Sequence, residues 1–449
     1  MTLPSTENTN SGSGQASDKS YLIPFILVTS LFFLWGVANS LNGTLIRHFQ
    51  TALSLSKAQA GFIDTAFYMG YFTMALPAGF LLNRIGYKKG IIIGLLLFAL
   101  GASLFYPAAE VRVYAFFLAA LYILACGLAF LETAANPYVI VLGDSDSATK
   151  RINFAQSFNG LSTILGPMIG SLFIYSSVEY TNTMLDSMPA AQAEAIRISE
   201  AHSVQGPYLM LAGVVLFIAI LFSLVKMPEI SSPSESTASM KGIFRHRHLI
   251  FGILAQFFYV GAQASIWGYV VDLKLFMSHD VDLGIVRTLY QISSEMTPTQ
   301  IAGFHASFGS ALFMLGRFFG TWLLTKFAAN KLLAVYAFIC LVLLGFAWMN
   351  TGLIAFSAVL LTYFFMSIMF PTIFSLAIKD LGSQVKLGSS LVIMAIVGGA
   401  VLAPVTGWIS STGMQNALIV PWIGFSFIMF FGLKGYSVRP QSPTFNSTN

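Results

Sequence analysis

Apolar residues run along this chain in long blocks separated by short polar stretches, and the blocks set the architecture. A helix crossing a bilayer needs about 20 mostly apolar residues. Twelve blocks meet or approach that length: 22–43, 58–82, 89–107, 113–142, 153–176, 206–226, 247–277, 300–323, 330–348, 352–379, 387–410 and 415–434. A membrane barrel would show alternating runs of about ten residues instead. The predicted fold class is an all-α membrane protein of twelve transmembrane helices, with the lipid bilayer as its first partner.

Polar side chains inside these blocks keep helical spacing. The first block holds Trp35, Asn39 and Asn42, the two asparagines three apart and so neighbours on one face. The fourth carries Glu132 and Asn136 at i, i+4, just before Pro137. The fifth carries Asn153, Gln156, Asn159 and Thr163, and the seventh Gln256, Tyr259, Gln263 and Trp267, with Tyr269 close by. Asn and Gln in membrane helices often only hold helices together. Stripes in four separate blocks argue for more than that. Carboxamides donate and accept hydrogen bonds at once, as a ligand with several hydroxyls requires. A Trp or Tyr ring offers a flat apolar face to the C–H side of a pyranose. The expected ligand is a hydroxyl-rich small molecule, contacted by Asn39, Asn42, Glu132, Asn136, Gln156, Asn159, Gln263, Trp267 and Tyr269.

Three ionisable residues lie well inside blocks. Glu132 sits in the apolar run 121–137, and an ionisable group at bilayer depth by default marks a path for ions, protons or substrate. Desolvation favours the neutral acid over the carboxylate, so Glu132 suits a proton carrier. The plainer alternative is a permanently protonated Glu132 that bonds a neighbouring helix. Asp64, in the outward third of the second block, reads equally as an entrance relay or as a solvated group near the membrane surface. Arg317, toward the inner end of the eighth block, reads as a snorkelling cation or a gate contact rather than a ligand contact.

The chain also repeats itself. The Ser/Pro-rich and then basic stretch 227–246 divides it into six blocks (21–226) and six blocks (247–434), with a polar, disordered start (1–20) and a short tail (435–449). Leu165-Gly-Pro-Met-Ile-Gly170 in the fifth block is matched by Leu402-Ala-Pro-Val-Thr-Gly407 in the eleventh, and Asn136-Pro137 in the fourth by Phe370-Pro371 in the tenth. Paired Gly/Pro interruptions in two halves point to an internally repeated transporter whose site lies between them near the midplane.

Composition narrows the function classes. The chain is 56% hydrophobic and 9% charged, against roughly 25% charged residues in soluble domains. The net charge of +5 is dispersed over loops, which excludes a nucleic-acid partner. With both termini in the cytoplasm, Arg84, Lys88, Lys89, Lys150, Arg151, Arg245 and Lys386 fall inside, while the opposite loops hold only Arg47, Lys57, Arg112, Arg197 and Arg287, as the positive-inside rule requires. No cleavable signal peptide precedes the first block. The two cysteines, Cys126 and Cys340, lie in apolar runs and read as packing residues. The histidines are scattered, so no metal site, cofactor or enzymatic centre is expected.

The segment Gly79–Lys89 resembles the loop signature of the major facilitator superfamily. Asn83 stands where that signature has an acid, so the gating ion pair expected around Arg84 is absent or rebuilt. Ser30-Leu-Phe-Phe-Leu-Trp-Gly-Val-Ala-Asn-Ser-Leu-Asn42, Ala66-Phe-Tyr-Met-Gly-Tyr-Phe72, Leu131-Glu-Thr-Ala-Ala-Asn-Pro137, Ala155-Gln-Ser-Phe-Asn159, Leu254–Gln263 and Pro371-Thr-Ile-Phe-Ser375 resemble the fucose–galactose–glucose:proton symporters within that superfamily. The resemblance runs from about 21 to 434. It implies the major facilitator fold with two pseudo-symmetric halves, and a monomer in a bacterial inner membrane importing a monosaccharide with a proton. It also implies proton coupling and sugar contact for Glu132, sugar proximity for Gln156 and Asn159, and a cavity-facing position for Gln263 and Trp267. One departure stands out. Family members carry an Asp on the first helix where this chain has Gly43, and relatives that carry N-acetylglucosamine also read Leu-Asn-Gly. Glu132 then carries the proton alone, or Asp64 takes over part of the relay. The rival expectations are an uncoupled facilitator and a sugar sensor that no longer transports.

Overall fold

The computed structural model describes residues 14–55, 57–173, 182–228, 240–294 and 296–437, and among them no strand occurs. Four long helices open the chain: α1 (Gly14–Ala52), α2 (Lys57–Val111), α3 (Tyr114–Val141) and α4 (Ala148–Phe173). The short α5 (Asn182–Asp186) and α6 (Ala190–Ser203) lead into α7 (Gln205–Leu224), and α8 (Met240–Ile243) precedes α9 (Arg247–Ser278). Then come α10 (Gly284–Tyr290), α11 (Pro298–Leu323), α12 (Ala329–Met349), α13 (Leu353–Met366), α14 (Met369–Ala377), α15 (Val385–Met394), α16 (Gly398–Ser410) and α17 (Ile419–Phe430).

Eight stretches among the described residues are long and apolar enough to cross a membrane, or nine when α13 and α14, bent by 41°, count as one. Among the described residues, two further features, counted by length, bring the total to twelve passes. Helices α4 and α11, with 26 residues each, are about 39 Å long at the α-helical rise, enough for a bilayer core of about 30 Å. The 55 residues of α2 would span about 82 Å and are broken into two passes at Gly86. The polar connection expected between the second and third blocks is thus a single non-helical residue, Gly86, with φ 78° and ψ 172°. Leu82 packs back onto Gly90 across the break. Nothing lies within 4 Å of a side chain added at Gly86, so the cost of Gly86→Ala is that of holding alanine in a positive-φ, extended-ψ conformation essentially reserved for glycine, about 1–3 kcal/mol. Thermal unfolding in detergent should show a lower Tm for that variant; an unchanged Tm would mean the reversal does not depend on glycine.

The turn from α3 to α4 is held by Arg151. Its Nε donates to the Val139 carbonyl (3.2 Å) and its Nη1 to Asp144 O (2.7 Å), with further bonds to Ile140 O and Ser147 Oγ. Carbonyls in the last turn of a helix lack intrahelical donors, and a cation there also complements the helix dipole. This clamp sets where the polar residues of α4 face those of α3. Helix α11 starts with a capping box: Thr297 Oγ1 accepts from Gln300 N, and Thr297 N donates to the Gln300 side chain, with Pro298 in the first turn.

Apolar residues cover both sides of the outer helices. On α12, Leu333, Ala337, Cys340 and Leu344 are buried while Val335, Phe338, Val342 and Phe346 are exposed, as expected where lipid covers the outer face. Segments before 228 meet segments after 240 at their Lys/Arg-rich ends. Thr149 bonds Ser375 (2.8 Å), Asn153 Nδ2 donates to Thr372 Oγ1 (3.2 Å), and Lys386 Nζ stands 5.2 Å from the Tyr87 ring centre.

Candidate functional site

Gly70 brings α2 against α3: a side chain there would fall 2.7 Å from Ala125 Cβ and 2.9 Å from the Tyr122 carbonyl. One residue on, Tyr71 Oη donates to Glu132 Oε1 at 2.7 Å. Glu132 is only 6% exposed and Tyr71 only 3%. A buried carboxyl facing a phenol inside a helix of membrane-spanning length, with no cation bonded to it among the described residues, is suited to holding and releasing a proton.

One helical turn further along α3, Asn136 is fully buried. Its Oδ1 accepts a long bond from Gln156 Nε2 (3.4 Å), and its Nδ2 has no hydrogen-bond partner. Gln156, on α4, is in turn held by Arg317. The Arg317 Nη1 donates to the Gln156 main-chain carbonyl and, at 3.4 Å, to its Oε1, while Nε donates to Ser367 O at 2.9 Å. The guanidinium stands 4.6 Å from the centre of the Phe313 ring. Arg317 does not snorkel, contrary to one of its two sequence readings: it is 3% exposed and joins α4 to the linker between α13 and α14. Among the described residues it forms no ion pair, so its charge is balanced by carbonyl dipoles. Chain positions alone do not show this, because 161 residues separate Arg317 from Gln156.

The aromatic wall continues from Phe313. Trp267 meets it edge-on (5.2 Å) and stacks on Tyr363 (5.6 Å, 6° between planes). Trp267 Nε1 is buried without a partner, as are both amide atoms of the fully buried Gln256. Leaving a buried donor or acceptor unsatisfied costs about 1–3 kcal/mol. Asn136, Trp267 and Gln256 therefore mark places near this network where a polar ligand or water would gain hydrogen bonds.

The other expected residues lie apart from this network. Asn39 is exposed on α1, and the side chain of Asn42 falls outside the described residues, as does that of Thr163. Asn159 is half-buried with its Nδ2 against Gly36 of α1. Gln263 is half-buried, and Tyr269 places its hydroxyl against Gly407 of α16. Among the described residues no hydrogen bond ties Asn39, Gln263 or Tyr269 to Gln156 or Arg317. Asp64 is exposed on α2, and Arg84 is exposed two residues before the break at Gly86, without an ion pair among the described residues. Tyr71, Phe313, Tyr363 and Ser367 were missed by sequence reasoning. Only Tyr71 had a legible signal: with Asp64 and Tyr68 it keeps helical spacing along α2.

The Major Facilitator Superfamily model matches residues 26–404, from α1 into α16. The chain belongs to the major facilitator superfamily. This major facilitator protein is 43% identical over 429 residues to the L-fucose-proton symporter of Escherichia coli, covering 92% of this chain and 93% of that one. It is 37% identical over 423 residues to the glucose/galactose transporter of Brucella abortus, covering 94% and 96%. The solved transporter FucP in the outward conformation superposes with a TM-score of 0.82 at 41% identity, covering 92% of this chain and 99% of that one. A proton:xylose symporter structure, 13% identical with a TM-score of 0.62, shares the fold.

Proposed function

We propose that this major facilitator protein is a proton-coupled monosaccharide symporter that imports L-fucose or a related hexose into a bacterial cell across its inner membrane, with both termini in the cytoplasm. The observation that carries the reading is the placement, one turn apart on α3, of a buried carboxyl bonded to Tyr71 and a buried carboxamide in the Gln156–Arg317 network. Proton site and ligand site then share one helix, so occupancy of one alters the other. The names of the relatives, an L-fucose-proton symporter and glucose/galactose transporters, support both substrate class and coupling. Asn136, Gln156, Asn159, Gln263 and Asn39 serve sugar hydroxyls, Trp267 and Tyr269 its apolar face. The halves 21–226 and 247–434 rock about this site. Contacts at the Lys/Arg-rich ends support an outward-open state, with Arg317 and Arg84 acting at the closed inner side.

Moving one charge down 100 mV supplies about 2.3 kcal/mol, enough for about 50-fold accumulation. In proteoliposomes, sugar addition should alkalinise the outer medium for one or more of L-fucose, D-galactose, D-glucose, D-fructose, D-mannose and N-acetylglucosamine. Glu132→Gln should abolish uphill uptake while exchange of labelled sugar continues. Uptake without any pH change would instead identify an uncoupled facilitator, and full accumulation by Glu132→Gln would remove Glu132 from the coupling.

A further inference from the structure

Glu132 is buried, so a symporter needs a route by which external protons reach it. We propose that Tyr68 and Tyr71 form that route from Asp64, and that the seating of Tyr68 on Gly399 lets the route conduct only while the outer side is open. The inference rests on the symport reading.

Asp64, Tyr68 and Tyr71 follow one another at i+4 and i+3 on α2 and so share a face. The stripe starts at an exposed carboxylate and ends in the 2.7 Å bond from Tyr71 to Glu132. A phenol both donates and accepts a hydrogen bond, so it passes a proton without holding charge, and water completes the intervals between hydroxyls. In the step itself, Asp64 takes a proton from external water and gives it to the Tyr68 oxygen, which releases its own proton toward Tyr71. Tyr71 takes that proton and passes its hydroxyl proton to Glu132 Oε1. One O–H bond forms and one breaks at each phenol, and Glu132 gains one proton.

The conformational control comes from α16. A side chain on Gly399 would meet Tyr68 Oη and Cζ at 2.7 Å, so the absence of one lets the phenol rest on the α16 backbone. Helix α2 lies before the 227–246 linker and α16 after it. Rocking of the halves therefore shifts this contact and moves the middle rung of the ladder. Back-leakage of the proton to the outside is then interrupted when the inner side opens.

The test compares Tyr68→Phe, Tyr71→Phe, Asp64→Asn and Gly399→Ala with the unaltered protein in proteoliposomes, measuring sugar-induced alkalinisation and sugar counterflow, which needs rocking without proton turnover. The ratio of coupled uptake to counterflow should fall by about 100-fold in Tyr68→Phe, the lower end of what a positioned proton-transfer group contributes, and fall less in Gly399→Ala. The carboxyl band of Glu132 in infrared difference spectra should respond to an external acid jump more slowly in Tyr68→Phe. A Tyr68→Phe protein with an unchanged ratio overturns the route, and so does one that loses counterflow and coupling together, which is the mark of a packing role. If the unaltered protein itself moves sugar without alkalinisation, the symport reading has failed, a result separable from failure of the ladder.

Discussion

Arg317→Ala should lose the form closed at the Lys/Arg-rich end, and sugar uptake with it. The guanidinium is bonded to Ser367 O on one side and to two oxygens of Gln156 on the other. Hydrogen bonds to a charged group contribute about 1.5–3 kcal/mol each. Burial of the cation cancels part of that, since desolvating one ion costs several kcal/mol. Removing it strands carbonyl oxygens in the protein interior. The net expected shift against the closed form is about 2–4 kcal/mol, roughly a 30- to 700-fold change in population at about 1.4 kcal/mol per tenfold. A cysteine placed at Thr149, which bonds Ser375 in the closed seam, should be labelled faster from the inner side in the Arg317→Ala background. Arg317→Lys should not rescue, because a point ammonium cannot span Ser367 and Gln156 as the planar fork does. Normal transport by Arg317→Lys, or unaltered labelling in Arg317→Ala, would remove the cross-link from the mechanism.

Gly127→Val should severely damage the fold. A side chain at Gly127 would fall onto the Phe98 backbone and stand 2.8 Å from the Gly94 carbonyl. Across the same seam, one at Gly94 would stand 3.1 Å from Leu131 N, and one at Gly101 would strike the Leu124 backbone. Backbones in direct contact are how membrane helices gain dispersion energy, since lipid is as apolar as their side chains. No flexible group can give way here, so the second pass of α2 and α3 must separate. Overpacking of this kind costs about 3 kcal/mol or more. It also displaces the α3 segment that carries Glu132 to Tyr71. Thermal unfolding in detergent should show a large loss for Gly127→Val and a smaller one for Gly127→Ala. Equal stability of Gly127→Val and the unaltered protein would contradict the packing described.

Much of this was legible along the chain because membrane insertion is a matter of apolar length. The 3.6-residue period alone places Glu132 with Asn136 and Gln156 with Asn159 on shared faces. Gly86 was visible only as part of a loop signature. That the reversal is confined to one left-handed residue depends on how Leu82 packs on Gly90. On α12 the sequence is apolar on all sides, and nothing in it separates the exposed Val342 from the buried Cys340 and Leu344. Hydropathy treats lipid and protein interior alike.

The amino-acid sequence by itself determined that the chain crosses the membrane repeatedly, which helices bear polar stripes, and that Glu132 lies inside an apolar stretch of membrane-spanning length. Tertiary structure alone decided that Glu132 faces Tyr71, that Arg317 turns inward onto Gln156 and Ser367, and that Tyr68 rests on Gly399. The first set follows from each segment's own transfer free energy into the bilayer. The second follows from the rotation and approach of neighbouring helices, which glycines at Gly70, Gly94, Gly127 and Gly399 permit and which no single segment encodes.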